Sequence, residues 1–290
     1  MTAFTAHEAQ ALLGERDLIA VGSRGDEERR RRHGAKTTFV RVFEVHGDAI
    51  PSSLPARATA GEIRLCGRPQ SLEQAVAAVT AARKLADATG VPLTGYSLSD
   101  LFDTAFGSRD GFRTLLSALR DAGLEIIAAA AVDASDDVAG LIGDAHERGL
   151  LVPRLTVQGS PDASDVSAVA DARVALVLRA QEIQRAVGGV RVFAPLPRVS
   201  PPGQPSTGYD DVKVIAMARL LAADIDSIQV DWALYGPKLA QVALTVGADD
   251  VDSISPLEGD LGRRRSPIEE IRGNIIAAGL EPVERNARFA

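Results

Sequence analysis

The chain has 290 residues, 46% of them hydrophobic and 24% charged, with a net charge of −7 and one cysteine, Cys66. This is globular composition rather than that of a disordered tail. One cysteine excludes an internal disulfide framework and cannot by itself supply an iron–sulfur cluster or the usual structural zinc site, and the absence of a basic excess speaks against nucleic acid as a partner. No apolar run approaches the length of a membrane span and the start has no leader pattern, so a cytoplasmic chain is expected.

Residues 1–36 predict a helical lead-in, with segments at 6–14 and 25–33. The run EERRRRHG within it holds Arg29–Arg32 behind Asp26, Glu27 and Glu28, a spacing that describes a solvated helix face; Arg263–Arg265 form a second basic run. Short β-rich runs then alternate with Ala/Leu-rich helical stretches. Strands are expected at 37–45, 62–66, 92–96, 125–131, 151–158, 190–195, 227–231 and 250–254. Between the second and third, Leu72, Val76, Val79 and Leu85 share one helical face behind an S-x-x-Q capping box at Ser71 and Gln74. Ser266-Pro267-Ile268-Glu269 opens the last helix with a similar box and Pro in the first turn.

Eight strands separated by helices predict a parallel (β/α)₈ barrel, within a single domain of lead-in (1–36), barrel (37–254) and closing segment (255–290). A doubly wound sheet fits the alternation nearly as well, but no G-x-G-x-x-G follows any strand, and the barrel is preferred. One connection is irregular. Residues 46–61 (HGDAIPSSLPARATAG) hold Pro51 and Pro55 and show no helical period, so the first crossover helix is replaced by a Pro-rich loop. The apolar surface beside residues 50–60, flanked by the helix at 72–88, is therefore expected to be covered by another chain, a second copy or a catalytic paralogue; the alternative is that the N-terminal helices fold across the gap.

In the C-terminal third, Trp232, Gly236, Ala240-Gln241, Gly247-Ala248-Asp249-Asp250 and Pro282–Arg285 follow one another at fixed spacings, the last closing a terminal helix, and the sixth strand ends Phe193-Ala194-Pro195-Leu196. These residues resemble the aminofutalosine synthase and dehypoxanthine futalosine cyclase branch of the radical S-adenosylmethionine superfamily, which includes a related deazaflavin-cofactor synthase subunit. The resemblance thins between residues 46 and 110. There the family carries C-x₃-C-x₂-C, which binds a [4Fe–4S] cluster; residues 50–57 (IPSSLPAR) hold no cysteine. The family's Gly-Gly after the second strand is Cys66-Gly67, and its Gly-rich fourth strand end is Ala128–Ala131. The resemblance therefore implies a degenerate, cluster-free homologue with S-adenosylmethionine left without its iron anchor. It would be a ligand-binding or accessory subunit of a catalytic paralogue in menaquinone biosynthesis, or a homo-oligomer, taking an aryl carboxylate or futalosine-like ligand. A non-radical enzyme on a related nucleoside or aromatic acid, and a purely structural partner, are the alternatives.

Barrel active sites are built at the strands' C-terminal ends. His46, Asp133, Asp231 and Glu258 stand at such positions as candidate ligand-binding groups, and the strand arginines Arg41, Arg154 and Arg191 join them because a guanidinium matches a carboxylate bidentately. Cys66 has no evident His partner to activate it, and no metal-ligand spacing links His7, His33, His46 and His146.

Overall fold

The computed structural model describes residues 4–160, 165–199, 208–257 and 267–290. Among them, eight parallel strands close into a barrel: β1 (Lys36–His46), β2 (Glu62–Cys66), β3 (Leu93–Ser97), β4 (Ile126–Ala131), β5 (Arg154–Gly159), β6 (Val192–Val199), β7 (Ser227–Asp231) and β8 (Asp250–Ile254), with β8 returning to β1. Strands β2, β7 and β8 occupy the expected residues, and the others differ at their ends.

The helices bury the outer face of the wall. In α3 (Leu72–Thr89), Ser71 Oγ caps the Gln74 N–H at 3.2 Å and Ala75, Ala78, Val79, Ala82, Leu85 and Ala86 are buried. Gln74 reaches back to the Gln70 N–H rather than to that of Ser71, so half of the expected box forms. Leu72 and Val76 are only partly buried, because the small alanines let α3 lie close on the sheet. Between β3 and β4 run α4 (Leu98–Thr104) and α5 (Arg109–Asp121); α6 (Val138–Glu147), α7 (Val166–Val187), α8 (Gly208–Leu221) and α9 (Trp232–Leu244) follow the next four strands.

The lead-in helices α1 (Ala6–Gly14) and α2 (Leu18–His33) pack on α7 and α8 and do not cross the gap left by the missing helix. In α2, Arg30 pairs with Asp26, and Arg31 and Arg32 with Glu28. Arg29 departs from the expected solvated face: it is fully buried, held by Asp26 and the Gly34 carbonyl. The Arg263–Arg265 run and the Ser266 cap lie outside the described residues; α10 (Pro267–Ala277) starts on the expected proline.

Pro282–Arg285 does not close a helix. Gly279 turns left-handed at φ 71°, its N–H and that of Leu280 bond back to the Ile276 and Ile275 carbonyls, and the chain leaves as strand β9 (Glu281–Glu284). This is the chemistry of a glycine helix stop. β9 lies parallel to Lys36–Phe39, along the lower half of β1, while β2 takes the upper half from Val42 to His46. The 11 residues of β1 thus carry two neighbours on one edge. The first crossover has no helix, as expected, and residues of this chain lie along it. Gly61 donates to the Arg41 carbonyl, Ala287 donates to the Gly61 carbonyl, and Ile50 and Leu54 pack partly buried on the core. A Cβ at Gly61 would lie 2.6 Å from the Arg285 carbonyl oxygen, so only glycine admits this approach.

Candidate functional site

Strands β2 and β8 read E-I-R-L-C and D-V-D-S-I. With side chains alternating across each strand, the apolar residues of such a pattern meet the helices and the charged ones meet in the barrel. There, Arg64 donates from Nε to Glu62 (2.7 Å), from Nη2 to Asp252 (2.9 Å) and from Nη1 to Ser253 Oγ (3.1 Å). Arg154 on β5 pairs with Asp252 from the other side and donates to the Ala128 carbonyl at 3.0 Å; Thr94 Oγ1 completes the set on Glu62. All five side chains are buried. Burial alone would raise the Glu62 and Asp252 carboxyls, but the two guanidiniums outweigh it and hold both below the usual range. Two anions and two cations therefore cancel in a region where an unpaired charge would be very costly.

Above them, Ser253 Oγ donates to Asp231 (3.2 Å), and Asp231 also caps α9 at the Leu234 N–H and faces Arg198 at 3.3 Å. The space over this network is a cavity of about 270 Å³. Its lining mixes the alanines of β4, Ala128, Ala129 and Ala131, with polar groups that include Ser99, Asp100, Thr156, Gln158, Arg154 and Arg198. A second lobe of about 210 Å³, bordered by His46, Asp48, Arg68 and Gln74, shares Cys66, Gly67 and Tyr96 with the first. The two lobes form the mouth at the strands' C-terminal ends.

The sequence candidates divide accordingly. His46 is exposed on the second lobe, Arg154 lies under the first and Asp231 at its edge. Arg41 is not a mouth residue: its Nε donates to Glu284 of β9 at 2.6 Å. Arg191 precedes β6 at the opposite end of the barrel, exposed and 3.7 Å from Asp226. Asp133 accepts the Gln158 and Gly159 N–H groups (2.7 and 2.9 Å), fixing the end of β5, which is a structural task. Glu258 lies outside the described residues. Glu62, Arg64, Asp252, Tyr96 and Arg198 were not singled out from the sequence; the alternation of charge with apolar residues in β2 and β8 is the pattern that marks three of them.

Cys66 borders both lobes, yet burial and the nearby Glu44 push its thiol up to about 11. Since only the thiolate is nucleophilic, iodoacetamide at pH 8 should alkylate Cys66 about a hundredfold more slowly than a free cysteine, as followed by intact mass. Modification at the free rate would mean that the side chain is not held as described.

Residues 195–290 match the family model described as the CofH/MqnC C-terminal region. That match covers the last third of the chain. The matched segment includes Trp232, Gly236 and Pro282–Arg285, so the resemblance to the aminofutalosine synthase and dehypoxanthine futalosine cyclase branch stands. An aminodeoxyfutalosine synthase of Streptomyces coelicolor is 32% identical over 167 residues, 50% of this chain and 42% of that protein. A 5-amino-6-(D-ribitylamino)uracil–L-tyrosine 4-hydroxyphenyl transferase of Methanosarcina barkeri is 35% identical over 135 residues, 40% of this chain and 36% of that protein. The chain thus aligns with less than half the length of either. In fold, it superposes on methylornithine synthase with a TM-score of 0.62 at 14% identity, covering 97% of this chain and 95% of that one. The [FeFe]-hydrogenase maturase HydG gives 0.61 at 12% identity, over 96% of this chain and 72% of that one. No helix among the described residues is long and apolar enough to cross a membrane.

Proposed function

We propose that this chain is a cluster-free relative of the CofH/MqnC branch whose barrel mouth binds a small aryl carboxylate or futalosine-like molecule, serving as a ligand-binding or accessory subunit beside a catalytic paralogue of menaquinone biosynthesis. The observation that carries the ligand reading is the cavity's mixed lining: Ala128, Ala129 and Ala131 together with the half-buried Arg198, which among the described residues meets one carboxylate, Asp231, at 3.3 Å and has further N–H groups for an incoming carboxylate. Pockets of this kind, apolar with a few convergent polar groups, are the usual form of small-molecule sites.

The residues present do not fit a [4Fe–4S] cluster. Three thiolates are needed, the chain has one cysteine, and that thiol is held protonated at neutral pH. Anaerobic reconstitution with iron and sulfide should leave the purified chain without a stoichiometric cluster; stoichiometric iron and sulfide with a cluster spectrum would overturn this part of the reading.

Benzoate tests the ligand part. A ligand bound only by the native state at a hundredfold excess over its Kd adds about 2.7 kcal/mol, which corresponds to a Tm rise of about 5–10 °C for a domain of this size. The rise should vanish in Arg198→Met. No shift up to millimolar benzoate would remove the mouth as an aryl-carboxylate site. Copurification of a paralogous barrel with the tagged chain tests the subunit role, and its consistent absence would count against that role.

A further inference from the structure

Tyr96 is 3% exposed, at the end of β3, and is one of three residues common to both lobes of the mouth. Its hydroxyl has no hydrogen-bond partner among the described residues, and the residue borders the cavity on both sides of the division between the lobes. Its backbone is left-handed at φ 56°, which a bulky residue in a strand adopts only at a cost. Ser253 shows the same strain at φ 59°, and there the hydrogen bonds to Arg64, Asp231 and Asp252 account for it. For Tyr96 nothing internal does. Strain of this kind collects at ligand clamps and is retained where it places a functional group.

We infer that Tyr96 is the hydrogen-bond donor that anchors a ligand oxygen across the two lobes, working with Arg198 on a carboxylate-bearing aromatic molecule. The assignment rests on the mouth reading above and adds the residue that sets ligand orientation. Burial pushes the phenol up to about 12, so the O–H stays protonated and donates throughout the neutral range. The ring is held by its burial, which fixes where the O–H is presented to a ligand oxygen.

The test is Tyr96→Phe, which keeps the ring and removes only the O–H. Calorimetric titration with benzoate should show affinity lower by roughly tenfold to a hundredfold, the worth of one hydrogen bond to a charged acceptor, with the ligand-free Tm within about 2 °C of wild type. The wild-type affinity should be flat from pH 6 to 9. Equal benzoate affinity in wild type and Tyr96→Phe would overturn the Tyr96 assignment and leave the mouth reading standing. Failure of the wild type to bind benzoate would take down the mouth reading and the assignment with it. If Tyr96→Phe does not fold, Tyr96→Leu, which also lacks a donor, is titrated instead; benzoate affinity equal to that of wild type in this variant would overturn the assignment.

Discussion

Asp252→Ala is expected to lower the thermal midpoint by about 6–20 °C. Removing one partner from a buried ion pair typically costs about 3–5 kcal/mol, since the other charge is left in a poorly solvating interior, and each kcal/mol moves Tm by roughly 2–4 °C in a domain of this size. Here two guanidiniums, Arg64 and Arg154, lose the same carboxylate, while Glu62 alone remains between them. Against a total stability on the order of 5–15 kcal/mol, that is a large fraction. Pairing the change with Arg154→Leu removes the stranded cation and leaves Arg64 with Glu62, so Asp252→Leu/Arg154→Leu should recover most of the loss. A single variant that costs less than about 1 kcal/mol by thermal or urea unfolding would show the network to be a bystander.

The same network sets the acid limit. Glu62 and Asp252 have ordinary values of 4.5 and 3.8 and are held lower in the fold. A depressed carboxyl contributes stability that is complete above its unfolded value and is lost as pH falls through that value toward the folded one. Tm should therefore be level from about pH 6 to 8 and fall below about pH 4.5. The fall should be shallower in Asp252→Ala, which has one such group fewer.

The barrel was legible in the sequence because its two periods are plain: three strands fall on the expected residues, and α3 presents its apolar stripe as Val79 and Leu85 demand. The mouth was half legible. His46, Arg154 and Asp231 reach it because a parallel barrel brings all strand C-termini to one end. Arg41 and Arg191 do not. A strand residue's facing depends on register, which slips by a full face with each residue, and Arg191 stands one position ahead of β6, at the wrong end. Glu62, Arg64 and Asp252 carry a pattern that inverts the surface-strand habit, with charges inward and apolar residues out. It becomes readable only when the Glu62/Arg64 strand and the acidic Asp250/Asp252 strand are placed with β5 in one closed barrel. Tyr96 could not be found at all from the sequence, since neither its φ nor its lack of a partner leaves a mark in composition or spacing. β9 was missed because a four-residue strand holding a proline, directly after a helix, reads as that helix's end.

The second large effect is expected at the seam that β9 closes. Arg285 follows β9 and grips Asp250 of β8 with two hydrogen bonds, at 2.6 and 2.7 Å, while its backbone N–H donates to Phe39 of β1 and its guanidinium lies 4.2 Å from the Phe289 ring. Asp250 in turn takes hydrogen bonds from Thr38 and Gln229, so one buried pair ties β9 to β1, β7 and β8. Arg285→Met should cost about 3–5 kcal/mol, by the same argument of a stranded buried charge, and Tm should drop by about 6–20 °C. The location of the damage is the more telling result. If β9 and the residues after it take the place of the absent first helix, hydrogen exchange in the variant should accelerate first at Gly61 and Ala287, whose amides bond across the seam. Local opening of this kind is read at the amides that it frees. If a second chain were the cover instead, protection of those amides in the wild type would rise with protein concentration, because association follows mass action. Concentration-independent protection in the wild type, lost in Arg285→Met, is the result expected of a barrel that seals its own gap.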